Sequence, residues 1–437
     1  MSSALRILSN TAIAFLVLGA STALAAEPDW SAVPSQTVQL FYPGQSSLEW
    51  LMSQDHPGAA PVTQGVSCVT CHEGKEAEKG QKIVSGEILE PAPIEGKVGA
   101  IEVTFQAAYD EENLYLRFQW PTQFDRPGQM HDYIRYTGEG WEFYGGPRSR
   151  GTVRAGEEPP LYEDRLSVMI DDGSVPNFAQ QGCWLTCHTS MRDMPDAPSS
   201  DTVKAHPFFG EKLGESDIRK YLPGSRTGDS LAWDAPKSEE EIAELKEQGQ
   251  FLELMQWRAH RSNPVNMADD GYVLEYRLFD EGKNPFSWNV DRKTMIPKFM
   301  FDEAKVGMKA ITVDDIGDVS KPYAMIREQN AAPYDPEAGW QEGDVLPGRL
   351  LSREDAKESA ADNDDVRGTW ENSVWTVTWT RPLDTGNADD KALSEGNVYN
   401  IGLAVHDDNV TTRFHFVSFP FTLGIGTDAD VKAEPVK

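Results

Sequence analysis

Val374-Trp-Thr-Val-Thr-Trp379 sets Trp375, Val377 and Trp379 on one side of an extended chain and Val374, Thr376 and Thr378 on the other, which is the two-residue period of a half-buried β-strand. Two indoles and a valine on one face require an apolar layer to cover them. The same pattern recurs upstream. Ile101, Val103, Phe105, Ala107 and Tyr109 alternate along one segment, Asp110-Glu-Glu-Asn113 supplies a turn, and the return places Leu114, Leu116, Phe118 and Trp120 opposite Tyr115, Arg117 and Gln119. That predicts a β-hairpin. Further strands are read at residues 165–170, 272–278, 398–405 and 413–423. Long strands separated by variable loops predict a mainly β fold, an antiparallel β-sandwich.

One helix interrupts the strands: Ser238 with Glu241 makes a capping box, and Ile242 and Leu245 begin an apolar stripe. It falls in a stretch, about 177–265, that reads as a partly helical insertion. The sandwich is expected over 99–426. A loop-rich arm (27–98) precedes it, residues 355–365 form a charged linker, and a polar tail (427–437) follows.

The formal charge of −30, from 70 acidic against 40 basic residues, makes nucleic acid and anionic membranes poor partners. A redox partner with a basic docking patch fits such a field, and acidity that serves solubility alone accounts for it equally.

All four cysteines lie in two short clusters, each closed by a histidine: Cys68-Val-Thr-Cys71-His72 in the arm and Cys183-Trp-Leu-Thr-Cys187-His188 in the insertion. The first is the C-x-x-C-H signature of covalent haem c, in which two thiols add to the haem vinyl groups and the adjacent imidazole is the proximal iron ligand. The second carries one extra residue between its thiols. Two haems c are therefore expected, on Cys68, Cys71 and His72 and on Cys183, Cys187 and His188. Two disulfides and a zinc site are the competing explanations, but neither requires a histidine after both clusters.

Covalent haem attachment takes place outside the cytoplasm and so calls for an export signal. Arg6 supplies a positive start, Thr11 to Ala20 an apolar core, and Ala23-Leu24-Ala25 small residues for cleavage. The expectation is a periplasmic protein with residues 1–26 removed. No later stretch approaches the roughly 20 apolar residues of a membrane span.

Four segments together resemble the haem-binding domain of ethylbenzene dehydrogenase. They are Leu114-Tyr-Leu-Arg-Phe-Gln-Trp120, Glu163-Asp-Arg-Leu-Ser-Val-Met-Ile-Asp171, Trp257-Arg-Ala-His-Arg-Ser-Asn-Pro264, and Ala404-Val-His-Asp-Asp408 followed by Arg413-Phe-His-Phe-Val-Ser418. The resemblance covers about residues 99–426. It implies a β-sandwich that carries a haem and serves electron transfer, with a molybdenum oxidoreductase or a quinol-linked cytochrome as the kind of partner. The best-known members hold a non-covalent haem b on methionine and lysine. This chain is similar instead to a c-type branch, and those ligands are not carried across.

A pure electron carrier needs a sixth ligand on each iron. His56, shortly before the first cluster, and His131, in a long loop after the hairpin, are the first candidates. His415 and His260 follow, with His206 and His406 remaining, and Met191 and Met194 are alternatives near His188. No G-x-S-x-G, H-E-x-x-H or P-loop is present. The reading is a dihaem c-type cytochrome passing electrons to or from a partner oxidoreductase. The alternative is a haem enzyme or gas-binding sensor with one open iron position.

Overall fold

Thirteen strands among the described residues form one hydrogen-bonded sheet. They are β1 (Gln36–Phe41), β2 (Ala100–Tyr109), β3 (Asn113–Pro121), β4 (Arg165–Asp171), β5 (Leu252–Arg258), β6 (Gly271–Val273), β7 (Arg277–Phe279), β8 (Asp365–Glu371), β9 (Val374–Pro382), β10 (Val398–His406), β11 (Phe416–Ser418), β12 (Phe421–Ile425) and β13 (Val431–Pro435). The structure, a computed structural model, describes residues 27–436 apart from 124–125, 148–150, 280–283, 319, 358, 360, 362–364 and 408–414. The expected export signal lies outside the described residues, as do Asp408, Arg413 and Phe414.

The hairpin β2–β3 turns where the sequence places it. Asp110 caps the turn by accepting the Glu112 and Asn113 amides on one carboxylate oxygen and the Tyr115 hydroxyl on the other. β9 pairs along the whole of β3, setting Trp375 opposite Trp120. The free edge of β2 is shared by β1 along its first half and β13 at its end, and the edge of β10 by β11 and β12. The pairs β1–β11 and β12–β13 thereby join two halves, β8-β9-β3-β2 and β10-β4-β5-β6-β7.

The inner faces of the halves close over one apolar core. Trp257 of β5 meets Trp375 edge-on at 4.9 Å and Trp120 at 6.0 Å. Gly368 of β8 leaves the space that the Trp257 indole fills. Fully burying side chains of this size stabilises by about 1.5–3 kcal/mol each.

Several elements differ from the sequence expectation. β1 lies inside the arm, β5 inside the stretch read as an insertion, and β13 inside the polar tail, where it pairs in parallel with β2 and β12. The strand expected over 272–278 is two short strands, and that over 413–423 breaks at Phe419-Pro420. The loop after the hairpin forms a four-stranded sheet with residues 311–312 and 344–347, and two smaller sheets form within 286–351, around a second core that includes Tyr133, Ile134, Phe301 and Met325. The helix Glu239–Glu247 carries the full capping box of Ser238 and Glu241. Among the described residues, no helix is long and apolar enough to cross a membrane.

Candidate functional site: two cysteine pairs and the cavity they border

The first pair sits on the one-turn helix Val69–His72, whose N-cap is Cys68. Helical spacing of three and four residues brings Cys71 and His72 to the side of Cys68, and the His72 amide donates to the Cys68 carbonyl at 3.1 Å. Cys71 is exposed and Cys68 buried. Burial pushes the Cys68 thiol up to about 11, so it stays protonated.

The His72 imidazole stacks on Phe419, with ring centres 6.0 Å apart. On another side stands His56, 6.1 Å away. The His56 Nδ1 lies 2.9 Å from the Leu51 carbonyl, so Nδ1 carries the hydrogen and Nε2 keeps a lone pair, as in most metal-ligating histidines. Burial, then the charges of Lys79, His56 and Lys75, push the His72 imidazole down to about 4, which keeps it in the neutral, ligating form. Its Nδ1 is buried without a hydrogen-bond partner. Two imidazoles bound to one ion at about 2 Å each stand with ring centres about 6 Å apart, so this pair fits a bis-histidine iron.

The second pair borders an open cleft of about 1050 Å³, counted with the solvent space at its mouth. Its floor is the outer face of the second half-sheet: Arg165, Ser167 and Met169 of β4, Leu254 and Gln256 of β5, and Gly402, Ala404 and His406 of β10. Cys183 and Cys187 lie at the two ends of a short turn of 3₁₀ helix, Gly182–Thr186. Gly182 enters it at φ +53 against Pro420, and Gly402 leaves room for the Cys183 sulfur.

Arg165, Arg192, Arg219, Lys220 and Arg277 line this cavity, and among the described residues no carboxylate does. Arg165 pairs with Glu163, Arg192 with Asp217, and Arg219 with Glu215 and Asp217 just outside it, so in a chain of charge −30 the lining itself is cationic, which suits an anionic group. Burial pushes the Arg277 guanidinium down to about 10, and it donates to Gln256 at 3.0 Å. Two thiols on one wall and five cations facing the same space fit a haem with its two propionates.

His188 is fully buried, with Nδ1 3.1 Å from Glu49 and Nε2 3.0 Å from the Tyr221 carbonyl. Its ring lies flat on Tyr221 at 3.7 Å. A carboxylate at one ring nitrogen is a contact that also orients metal-ligating histidines. The Tyr221 carbonyl, however, stands where an iron would be, and His188 does not line the cavity. The histidines that do are His406 and His415, stacked at 5.0 Å, together with Met191 and Met194. Met191 Sδ accepts the His188 amide at 3.2 Å.

The other candidates lie elsewhere. His131 contacts Asp132 at 3.1 Å and Tyr162, and His260 contacts the Gln129 carbonyl at 2.8 Å and Tyr133. Both belong to a buried charged network around Glu163 and Asp132, and neither lines the cavity. Burial pushes His131 down to about 3. His206 caps the turn 207–212 by accepting the Phe208 and Phe209 amides. Sequence reasoning missed Glu49, the five cations, and Phe419 against His72, and it ranked His406 behind His56, His131, His415 and His260. The signal for His406 was local: it closes a strand whose successor begins just after His415.

The model of the ethylbenzene dehydrogenase family matches residues 27–418, a span that takes in both cysteine pairs, the arm and the strands β1 to β11 in full. Over 423 residues, 96% of this chain and 95% of the relative, the sequence is 27% identical to cytochrome c-552 of Stutzerimonas stutzeri. It is 30% identical over 187 residues to cytochrome c-551 of Rhodocyclus tenuis, across 41% of this chain and 64% of that relative. The chain belongs to the ethylbenzene dehydrogenase family.

Proposed function

We propose that this chain is an exported dihaem c-type cytochrome that passes electrons to or from a partner oxidoreductase. The c-type cytochrome and electron-transfer role rests on the family and on relatives named cytochrome c-552 and cytochrome c-551. The single observation that carries the finer reading is the His56–His72 pair beside Cys68 and Cys71, at the separation of two ligands on one iron.

In the first site Cys68 and Cys71 hold the haem by thioether bonds, with His72 and His56 as ligands. In the second, Cys183 and Cys187 would hold it, the cations would take its propionates, and His188, oriented by Glu49, would ligate iron once its Nε2 leaves the Tyr221 carbonyl. His415 and His406 line that cavity, and His415 would supply the sixth ligand with His406 stacked on it. Haem, when bound, provides the one-electron couple. The protein's part is to set potential through ligand, burial and nearby charge. The acidic surface suits a partner with a basic docking face.

The test is expression with a cytochrome c maturation system, followed by haem determination after acid-acetone extraction. Two haems retained per chain, both low-spin, are expected. A preparation that loses its haem to the solvent contradicts covalent attachment.

A further inference from the structure

The two cysteine pairs share one wall. The Cys68 amide donates to the Gln180 carbonyl at 3.1 Å and the Leu48 amide to the Cys187 carbonyl at 2.7 Å, so the segments bearing the two pairs are docked on each other by backbone bonds. Between them the wall is aromatic. Phe419 stacks on His72 at 6.0 Å and 13°. Phe419 in turn meets Trp184 at 5.4 Å and Phe41 at 5.0 Å, and Trp184 lies 5.5 Å from Phe41.

Trp184 stands between Cys183 and Cys187 in the chain and lines the second cavity. All three rings are buried, at 3% exposure for Phe41, 4% for Trp184 and 8% for Phe419. The orientation of Trp184 is fixed: its indole N–H donates to Ser46 Oγ at 2.9 Å, and Ser46 donates onward to the Pro43 carbonyl. A line of neighbouring buried rings therefore runs from the imidazole of the first site through Phe419 to Trp184 in the thiol segment of the second, with ring centres 6.0 and 5.4 Å apart.

We propose that Phe419 and Trp184 form the path by which an electron crosses between the two haem sites. This rests on the dihaem reading above. In the step one electron leaves the ferrous centre at one site, which becomes ferric, and arrives at the ferric centre of the other, which becomes ferrous. No bond forms or breaks and no proton has to move. Neither ring is oxidised. Electronic coupling falls off faster across an open gap than through close-packed atoms, and the core packing of these rings supplies the latter.

The experiment uses the holoprotein. One electron is delivered by flash photoreduction from a photoexcited metal complex, and its redistribution between the two haem absorption bands is followed while haem content and both potentials are measured on the same preparation. Trp184→Leu and Phe419→Leu are expected to slow the redistribution severalfold with the potentials unchanged, and Trp184→Phe to keep the wild-type rate. Phe178→Leu makes the same change in the same core but off the aromatic line, and is expected to leave the rate unchanged. Two haems with a wild-type rate in the Leu variants overturn the path alone. Equal slowing by Phe178→Leu also overturns it, because the effect is then one of packing. A single haem per chain overturns the dihaem reading and the path together. Should Trp184→Leu fail to mature, Phe419→Leu decides the question.

Discussion

His56 and His72 face each other with ring centres 6.1 Å apart and planes inclined by 39°. His72 ends the one-turn helix Val69–His72, whereas His56 lies in the turn between the helices Leu48–Leu51 and Ala59–Thr63, its amide donating to the Ser53 carbonyl. If both bind one iron, His56→Ala converts one haem of the two from low-spin to high-spin and leaves both covalently attached. His56→Met keeps the low-spin form and raises that haem's potential. Optical and electron paramagnetic resonance spectra distinguish these outcomes, and an unaltered spectrum in His56→Ala contradicts the pairing.

The second site is tested by comparing three variants. His188→Ala should lose low-spin character at one haem. His415→Ala should do the same while His406→Ala shifts the potential, since His415 begins the strand segment facing the cavity and His406 stacks behind it. Normal spectra for His188→Ala mean that the Tyr221 contact at 3.0 Å persists in the loaded protein and that the imidazole comes from the pair across the cavity.

The cationic wall should raise the potential of the second haem by favouring its reduced, less positive state. A unit charge about 10 Å away at an effective dielectric of about 20 interacts by about 1.7 kcal/mol, or about 70 mV for one electron. Arg277→Leu should therefore lower one of the two potentials by that order, and the effect should weaken only in part in high salt because the side chain is half-buried. An equal shift at both haems, or none, places the charge elsewhere.

Glu163 accepts the His260 and Arg261 amides at 3.0 and 2.9 Å and lies near Arg261, Arg165 and Arg258. Burial alone would push its carboxyl up, and the charges of Arg261, His131, Arg165 and Arg258 outweigh it and hold it well below its ordinary range. A depressed carboxyl contributes fully above its unfolded value near 4.3 and loses the contribution as pH falls through the folded value. Glu163→Gln should then cost about 3–5 kcal/mol at neutral pH, as for a broken buried pair. Its deficit should shrink below about pH 4, because only the wild type has this term to lose. Denaturant unfolding across pH reads both, and a deficit constant with pH contradicts the assignment.

The strands that could be read from the sequence are those with one wet face. In β9 buried and partly exposed residues alternate without a break, so the period appears in the letters. β5, Leu-Glu-Leu-Met-Gln-Trp-Arg, is buried on both faces. Its charges are neutralised inside, Glu253 by Arg381 through two contacts of 2.8 Å, and it therefore reads as a polar surface segment. β13 fails for the opposite reason: only Val431 and Ala433 face inward, too short a pattern to separate from a tail.

At the sites, the thiols and neighbouring histidines are local motifs and are legible. His56 could be proposed because it lies close in sequence to the first pair. His131 could not be placed, since its position depends on how the long loop returns against residues far along the chain, as in the pairing of Tyr133 with Pro347. The cations around the second cavity come from β4, β7 and the segment 192–220, and only the sheet order brings them together.

Whether both cysteine pairs carry covalent haem is decided by intact mass under denaturing conditions. The expected mass is the chain without its export signal plus two haems, falling to one haem in Cys68→Ala/Cys71→Ala and to one in Cys183→Ala/Cys187→Ala. A mass with a single haem that is lost only when Cys68 and Cys71 are replaced contradicts the dihaem reading.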